Sequence, residues 1–267
     1  MIAALTGWLK RRLELPGGTC TRDSPELVPA HRDLIFRKPF LRRLYLAHYR
    51  EFARALRGVP PGAIVELGSG GGFLGDVMPG VVTTDAVAAP FVARRMVAER
   101  LEFPDGSLAG ILMLNVFHHL PDPRVFLREA VRTLEPGGRV IMIEPAHTWL
   151  WSRLYRMFSL EPYDEKAAGW GFPPAGRFTG ANVPQAWIVF ERDRAVFERE
   201  FPEFRIVKVR HHTAFLYVLS GGIWYRSLAP GFSFPVFHML ETALTPAMRL
   251  LAGEMTVVLE RRKAGMM

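Results

Sequence analysis

The chain has 267 residues, 49% of them hydrophobic and 22% charged, and a formal net charge of +8 at pH 7. This composition excludes a disordered or fibrous chain and suits one large domain or a core domain carrying a cap. The one cysteine, Cys20, excludes an internal disulfide framework and a cysteine-based zinc site, and points to a reducing cytoplasmic setting.

Residues 1–15 carry Lys10, Arg11 and Arg12 after a short apolar run rather than before it, the reverse of a secretion signal. Ile2, Leu5, Trp8 and Leu9 followed by this basic cluster suit transient contact with an anionic membrane surface. No apolar run reaches the length of about 18 residues that a spanning helix needs, since the greasy stretch 213–251 is broken by glycine, proline, Arg226 and Glu241. The arginines are scattered and no nucleic-acid motif accompanies them, so a nucleic-acid partner is not expected.

Apolar residues between Arg32 and Arg57 recur at helical spacing on either side of Pro39 and predict a basic helical lead-in. Gly58, Pro60, Pro61 and Gly62 then punctuate the chain before Ala63-Ile64-Val65-Glu66-Leu67, a run of buried-strand character. Further strands are predicted at 81–84 ending at Asp85, at 108–114 ending at Asn115, and at 139–143 ending at Glu144. Residues 123–134 form a helix between the last two, closed by Pro136-Gly137-Gly138. Alternating strand and helix implies an α/β fold, a parallel sheet with helices on both faces. Beyond Glu144 come helices at 149–160 and 192–201, a Gly/Pro loop at 172–184, and strands at 204–209 and 255–259. The chain thus divides into a lead-in (1–60), a ligand-binding half of the sheet (61–145) and the remainder (146–267), with cap insertions at 149–184 and 213–251.

Glu66 stands at a strand end, and Gly68, Gly70, Gly71 and Gly72 fill the turn that follows, so a ligand could touch bare backbone at the carboxyl edge of the sheet. A glycine-rich turn alone is weak evidence, since any tight strand-to-helix turn recruits glycine. A dinucleotide site wants Gly or Ala at the sixth position of its fingerprint, where this chain has Phe73. Asp85, at the end of the next strand, is either a ribose-binding carboxylate or an ordinary turn aspartate.

Taken in order, Val65 to Asp76, Asp85, Glu99-Arg100-Leu101-Glu102-Phe103-Pro104-Asp105-Gly106-Ser107, Asn115-Val116-Phe117-His118-His119-Leu120-Pro121-Asp122-Pro123, Leu134-Glu135-Pro136-Gly137-Gly138-Arg139 and Ile143-Glu144-Pro145 resemble the successive motifs of the methyltransferase-11 family of class I S-adenosylmethionine-dependent enzymes. The resemblance covers about 80 residues and is silent on substrate. It implies a doubly wound, Rossmann-like, mostly parallel seven-stranded sheet with an antiparallel last strand. It also implies S-adenosyl-L-methionine as cofactor, held by Glu66, Gly68, Ser69, Gly70, Gly72 and Asn115, with Asp85 on the ribose hydroxyls. The adenine-flanking loop departs from the family: where an acidic residue followed by Ala is usual, this chain has Val97-Ala98-Glu99, so either Glu99 substitutes or the Ala98 backbone serves. Only 13 residues separate Asp85 from Ala98, so the helix after the second strand is expected to be short or lost.

Methyl transfer from a sulfonium is an in-line displacement in which alignment supplies much of the acceleration. For a hydroxyl or carbon acid, His118 and His119 are the candidates for a base or substrate contact, against the reading that they cap or pack the following turn. Glu144, His147 and the pair His211-His212 follow other strands and could line the same mouth. No His-Glu-x-x-His spacing appears, and no metal is expected. The apolar insertions suit a small hydrophobic or amphipathic acceptor, or else an enlarged core or dimer contact. Two other readings remain: a catalytically silent binding protein on the same fold, and an NAD-dependent oxidoreductase.

Overall fold

The computed structural model describes residues 24–173, 176 and 180–263; Cys20 and the apolar-basic segment 1–15 lie outside them. The chain opens with two helices, α1 (Leu27–Arg37) and α2 (Pro39–Ala55), parted by Lys38 in an extended conformation. A residue before proline is driven out of the helical region, whereas Pro39 itself suits a first helical position.

The sheet follows: β1 (Ala63–Leu67), the single turn α3 (Leu74–Val77), β2 (Val81–Asp85), the two-residue β3 (Arg94–Arg95) and β4 (Leu108–Leu114). Then come α4 (Pro123–Thr133), β5 (Leu134–Pro145), α5 (Trp149–Phe158), α6 (Gln185–Trp187), α7 (Arg194–Glu200) and β6 (Phe204–His212). The chain ends with α8 (Leu216–Ser220), α9 (Phe234–Ala243), α10 (Met248–Leu251) and β7 (Glu254–Arg261). Seven strands lie in the order β3-β2-β1-β4-β5-β7-β6, parallel except for β7, which runs antiparallel to both β5 and β6. This is the mixed seven-stranded, Rossmann-like sheet expected from the family resemblance.

One cluster of side chains, including Phe117, Phe126, Phe190 and Phe197, packs with β-strand residues Val65, Ile111 and Val140. The other, including Phe40, Leu44, Phe52 and Phe73, packs with Leu112, Ile141 and Val258. Neighbouring strand residues thus point into different clusters, which is why β4 and β5 read as unbroken apolar runs rather than alternating ones. The start of β5 and the presence of β3 differ from the sequence reading. β5 starts at Leu134, not Arg139, because Leu134 already pairs with Leu108 and Pro136 to Gly138 form an irregularity inside the strand, with Gly137 at φ +92°. As the short interval from Asp85 to Ala98 leads us to expect, no α-helix follows β2; the chain turns after Asp85 and adds the unexpected β3 instead.

Among the described residues no helix is long and apolar enough to cross a membrane.

Candidate functional site

The strand order reverses between β1 and β4, and the chain after each of these strands frames a cavity of about 450 Å³ at the carboxyl edge of the sheet. Gly68 and Gly70 adopt φ of +63° and +52°, a region closed to most side chains. A Cβ on Gly68 would fall 2.5 Å from the Val116 side chain, and one on Gly71 would fall 2.5 Å from the Arg32 backbone nitrogen. The turn is therefore gripped between the segment after β4 and helix α1. Arg32 closes the grip: its guanidinium donates to the Gly72 carbonyl and to Asp76 and lies over the Phe91 ring.

Glu66 is buried, and its carboxylate accepts the Ser69 hydroxyl at 2.6 Å. Burial raises its pKa to about 7; the Ser69 hydrogen bond opposes that rise and the charge of Asp85 adds to it. Asp85 accepts the amides of Gly70 and Val87, each at 2.8 Å, so the carboxylate of the neighbouring strand backs the glycine turn.

After β4 the backbone passes through Asn115 at φ +56° into the turn Phe117–His119. Glu144, at the end of β5, is fully buried and accepts the amides of Val116 and Phe117 at 2.8 Å. Its other oxygen lies 2.6 Å from Nδ1 of His118, whose Nε2 lies 3.3 Å from Glu161. Burial alone would lower the His118 pKa, but Glu144 and then Glu161 outweigh it and raise it to about 10. His118 is thus an imidazolium held between two carboxylates. His119 behaves in the opposite way: burial and the charge of His118 lower it to about 4, and its Nδ1 lies 3.3 Å from the Gly180 carbonyl. One imidazole pins the turn as a cation while its neighbour stays neutral.

His118, His119 and Glu161 each offer one ligand atom within 4.8 Å of the others, a two-imidazole, one-carboxylate set able to hold a divalent cation. Glu144 and Gly180 engage the second nitrogens as the outer partners of metal-bound histidines do. Glu161 comes from the segment after α5, so no local spacing could reveal this set. A cation there would have to displace the proton that His118 holds.

Of the sequence-predicted residues, Glu66, Gly68, Ser69, Gly70, Gly72, Asn115, His118 and His119 line the cavity together. Asp85, Ala98 and Glu99 are not among its lining: Asp85 and Ala98 are buried, and Met96 bonds back to the Asp85 carbonyl. Glu144 stands behind His118. His147 lies against Trp187 with tilted rings and meets Tyr163, His211 faces Glu191, and His212 is half-buried between Thr213 and Thr256. The far wall is made by Trp151 and Tyr155 from α5 and Tyr217 from α8, which lie in the expected cap insertions though none was singled out, together with Tyr45, His48 and Tyr49 from α2 and Glu254, which the sequence reading passed over.

S-adenosylmethionine is a compact cation with an amino-acid end, an adenosine end and a reactive sulfonium. Glu66 would offer an acid to the cationic amino-acid end, and the glycine turn would offer backbone that side chains would otherwise cover. The donor set fits the cofactor.

Residues 66–142 match the family model described as a methyltransferase domain. The chain is 30% identical over 128 residues to a ubiquinone biosynthesis O-methyltransferase of Paramagnetospirillum magneticum, covering 41% of this chain and 51% of that one. It is 36% identical over 81 residues to the chloroplastic 2-methyl-6-phytyl-1,4-hydroquinone methyltransferase 2 of Oryza sativa subsp. japonica, covering 30% and 23% respectively. The match spans about half of the first relative and less of the second. Among solved structures, a possible histamine N-methyltransferase from Thermotoga maritima superposes with a TM-score of 0.54 at 16% identity, over 90% of this chain and 98% of that one. Residues 66–142 thus resemble a methyltransferase domain, and the described chain shares its fold with a solved methyltransferase structure.

Proposed function

We propose that this chain is an S-adenosylmethionine-dependent methyltransferase acting on a small apolar or amphipathic acceptor. The observation that carries this reading is one cavity in which the acid and glycine turn of β1 face an aromatic wall contributed by α2, α5 and α8. When bound, the cofactor supplies an electrophilic methyl group. The chain's own residues supply alignment and an apolar enclosure that limits water, which suffices for an in-line transfer. His118 fixes the floor beside the turn, and His119, neutral and lining the cavity, is assigned as an acceptor contact. The names of the two curated relatives, one in ubiquinone biosynthesis and one acting on a phytyl hydroquinone, support an acceptor with an aromatic head and an apolar tail.

A peripheral membrane contact belongs to the same reading. Phe232 and Met239 on the cap are 81% and 64% exposed, and Arg42, Arg43, Arg50 and Arg54 line the groove between α2 and α9. Exposed apolar side chains beside a row of arginines suit an anionic bilayer from which a lipid-like acceptor is drawn.

The test is transfer of radiolabelled methyl from S-adenosylmethionine to phytyl hydroquinones presented in vesicles. Label in the organic extract is the expected result. Cofactor binding without transfer to any acceptor would favour the catalytically silent reading, and binding of NAD in place of S-adenosylmethionine would favour the oxidoreductase.

A further inference from the structure

The floor of the cavity brings three ligand atoms together from two distant segments. His118 and His119 are neighbours in the turn after β4, and Glu161 follows α5. Successive residues of such a turn point about 120° apart. Here the two rings instead lie 4.2 Å centre to centre, inclined by 39°, with both Nε2 atoms turned to one carboxylate. Oε2 of Glu161 stands 3.3 Å from Nε2 of His118, and Oε1 stands 3.9 Å from Nε2 of His119. The second gap is too long for a hydrogen bond, so the carboxylate sits between the rings rather than bonding both. Atoms that share one small cation at about 2.0–2.2 Å stand about 3–4 Å from one another.

Each ring is held by its other nitrogen. Nδ1 of His118 lies 2.6 Å from Glu144, and Nδ1 of His119 lies 3.3 Å from the Gly180 carbonyl. An acceptor at Nδ1 keeps a hydrogen there, so Nε2 is the atom that can exchange a proton for a metal. The backbone then fixes the third ligand against the rings. The Asn182 amide donates to the His118 carbonyl at 2.8 Å, its side chain exchanges two bonds with the backbone of Asp164, and the Val183 amide donates to the Pro162 carbonyl. Segment 161–164 is thereby tied to the turn that carries both histidines, and a cation would meet ligands already in place.

The charge of the site is incomplete. Glu144 and Glu161 face the same turn, and among the described residues neither pairs with a lysine or arginine. Burial would raise the pKa of Glu161, but His118 outweighs it and holds the side chain below the ordinary carboxylate range, as an anion. The proton on His118 offsets one of the two negative charges; a divalent ion in its place offsets both, and buried charge is costly until it is balanced. The site is also open to the cavity. The His118 side chain is 3% exposed, whereas those of His119 and Glu161 are 19% and 21% exposed, and all three line the cavity. Two imidazoles and one carboxylate suit a transition ion such as zinc or iron better than magnesium or calcium, which prefer oxygen alone. Three protein ligands leave a position for a molecule in the cavity.

We propose that His118, His119 and Glu161 bind a divalent transition-metal ion whose remaining position, on the cavity side, takes a hydroxyl oxygen of the methyl acceptor, contrary to the expectation from sequence spacing. The inference rests on the methyltransferase reading above and deepens it, since His119 then contacts the acceptor through the ion. The acceptor O–H bond breaks, its proton passes to water, and the electron pair stays on an oxygen bound to the ion. That oxygen forms the new bond to the methyl carbon as the carbon–sulfur bond breaks, its electrons going to sulfur.

The experiment uses the full chain, stripped of metal with a chelator and titrated with Co²⁺, whose visible bands report its ligands. A single equivalent should saturate the bands, and Zn²⁺ should abolish them. His119→Ala and Glu161→Gln should each weaken Co²⁺ binding by about 100-fold or more, and Glu144→Gln by about 10–100-fold, the usual effect of removing the partner of a metal-bound histidine. Affinity for S-adenosylmethionine should stay near that of wild type in all three. A wild type that binds no Co²⁺, or variants that bind it as wild type does, overturns the site. Adding a hydroquinone under argon should shift the bands, and bands unmoved at saturation overturn the acceptor role of the ion. Zinc-edge X-ray absorption on the wild type decides the case if the variants do not fold: two imidazoles about 2.0–2.1 Å from zinc are expected, and fewer than two overturn the assignment. Ion binding without S-adenosylmethionine binding removes the methyltransferase reading and leaves the metal site standing. Methyl transfer to a phytyl hydroquinone by protein that takes up no Co²⁺ removes the metal site alone.

Discussion

Around the glycine turn the bonds that shape the cavity span 3 to 44 positions, whereas on the cap wall they span most of the chain. Ser69 bonds Glu66 three residues away, and Gly70 bonds Asp85 fifteen residues away. On the opposite wall His48 meets Glu254 across 206 positions, and Lys38 reaches the carbonyls of Gly222 and Tyr225 across 184 and 187. Local contacts form with little loop closure, but distant ones exist only once the whole fold is in place. The cofactor side is thus preorganised by its own neighbours, and the acceptor side should open at lower free energy and tolerate change without loss of cofactor binding.

Glu144 is where that separation should fail. It holds the turn after β4 through two amides and the His118 ring, fully buried, so Glu144→Ala should cost about 3–5 kcal/mol in urea denaturation and weaken the whole domain. A loss under about 1 kcal/mol would mean the turn is held by other contacts. Next comes Gly68→Val, which places a side chain at positive φ and against Val116; strain and overpacking together should weaken cofactor binding by about 2–4 kcal/mol, read by calorimetry. Global stability should fall by less.

On the cap side, Glu241 accepts the amides of Phe215 and Leu216 at the start of α8. Glu241→Ala should cost about 1–3 kcal/mol, seen as faster hydrogen exchange confined to α8 and α9, with cofactor affinity within about threefold of wild type. Equal damage to cofactor binding would erase the contrast between the two walls.

A pH experiment probes the cofactor side more gently. The folded pKa of Glu66, about 7, lies above its unfolded value, so the free protein should lose stability as pH rises from about 4.5 through 7. A cationic ligand favours the ionised acid, so binding should release up to about one proton near pH 6.5, and affinity should rise as pH passes through 7. Calorimetry in buffers of different ionisation enthalpy reads the proton, and Glu66→Gln should abolish it. The smallest effect is expected away from both walls: Arg124 and Glu200 form a partly exposed two-bond pair, and Arg124→Met should cost no more than about 1 kcal/mol in thermal unfolding.

The same contrast explains what could be read from the sequence. The strands at Ala63–Leu67 and Leu108–Leu114 coincide with the predicted runs because glycine, proline and polar residues stop them on both sides. Glu66, the glycines, Asn115 and the His118-His119 pair were legible because each motif is contiguous and sits at a strand end. Asp85 also sits at a strand end, yet its oxygens turn to backbone amides behind the glycine turn, a detail that no linear pattern carries. β3 was illegible because two exposed arginines carry no apolar signal. His48, Glu161 and Glu254 were missed for the opposite reason: each looks like an ordinary helix, loop or strand residue until folding brings its partner from a distant part of the chain.

The most direct test of the account is a crystal structure with S-adenosylhomocysteine. The account predicts the amino-acid end of the ligand against Glu66 and the backbone of Gly68 to Gly72, with the sulfur facing the cap wall that carries Tyr45 and His48. A ligand bound elsewhere, or a glycine turn that stays packed against α1 and Val116 with no ligand beside Glu66, would contradict it.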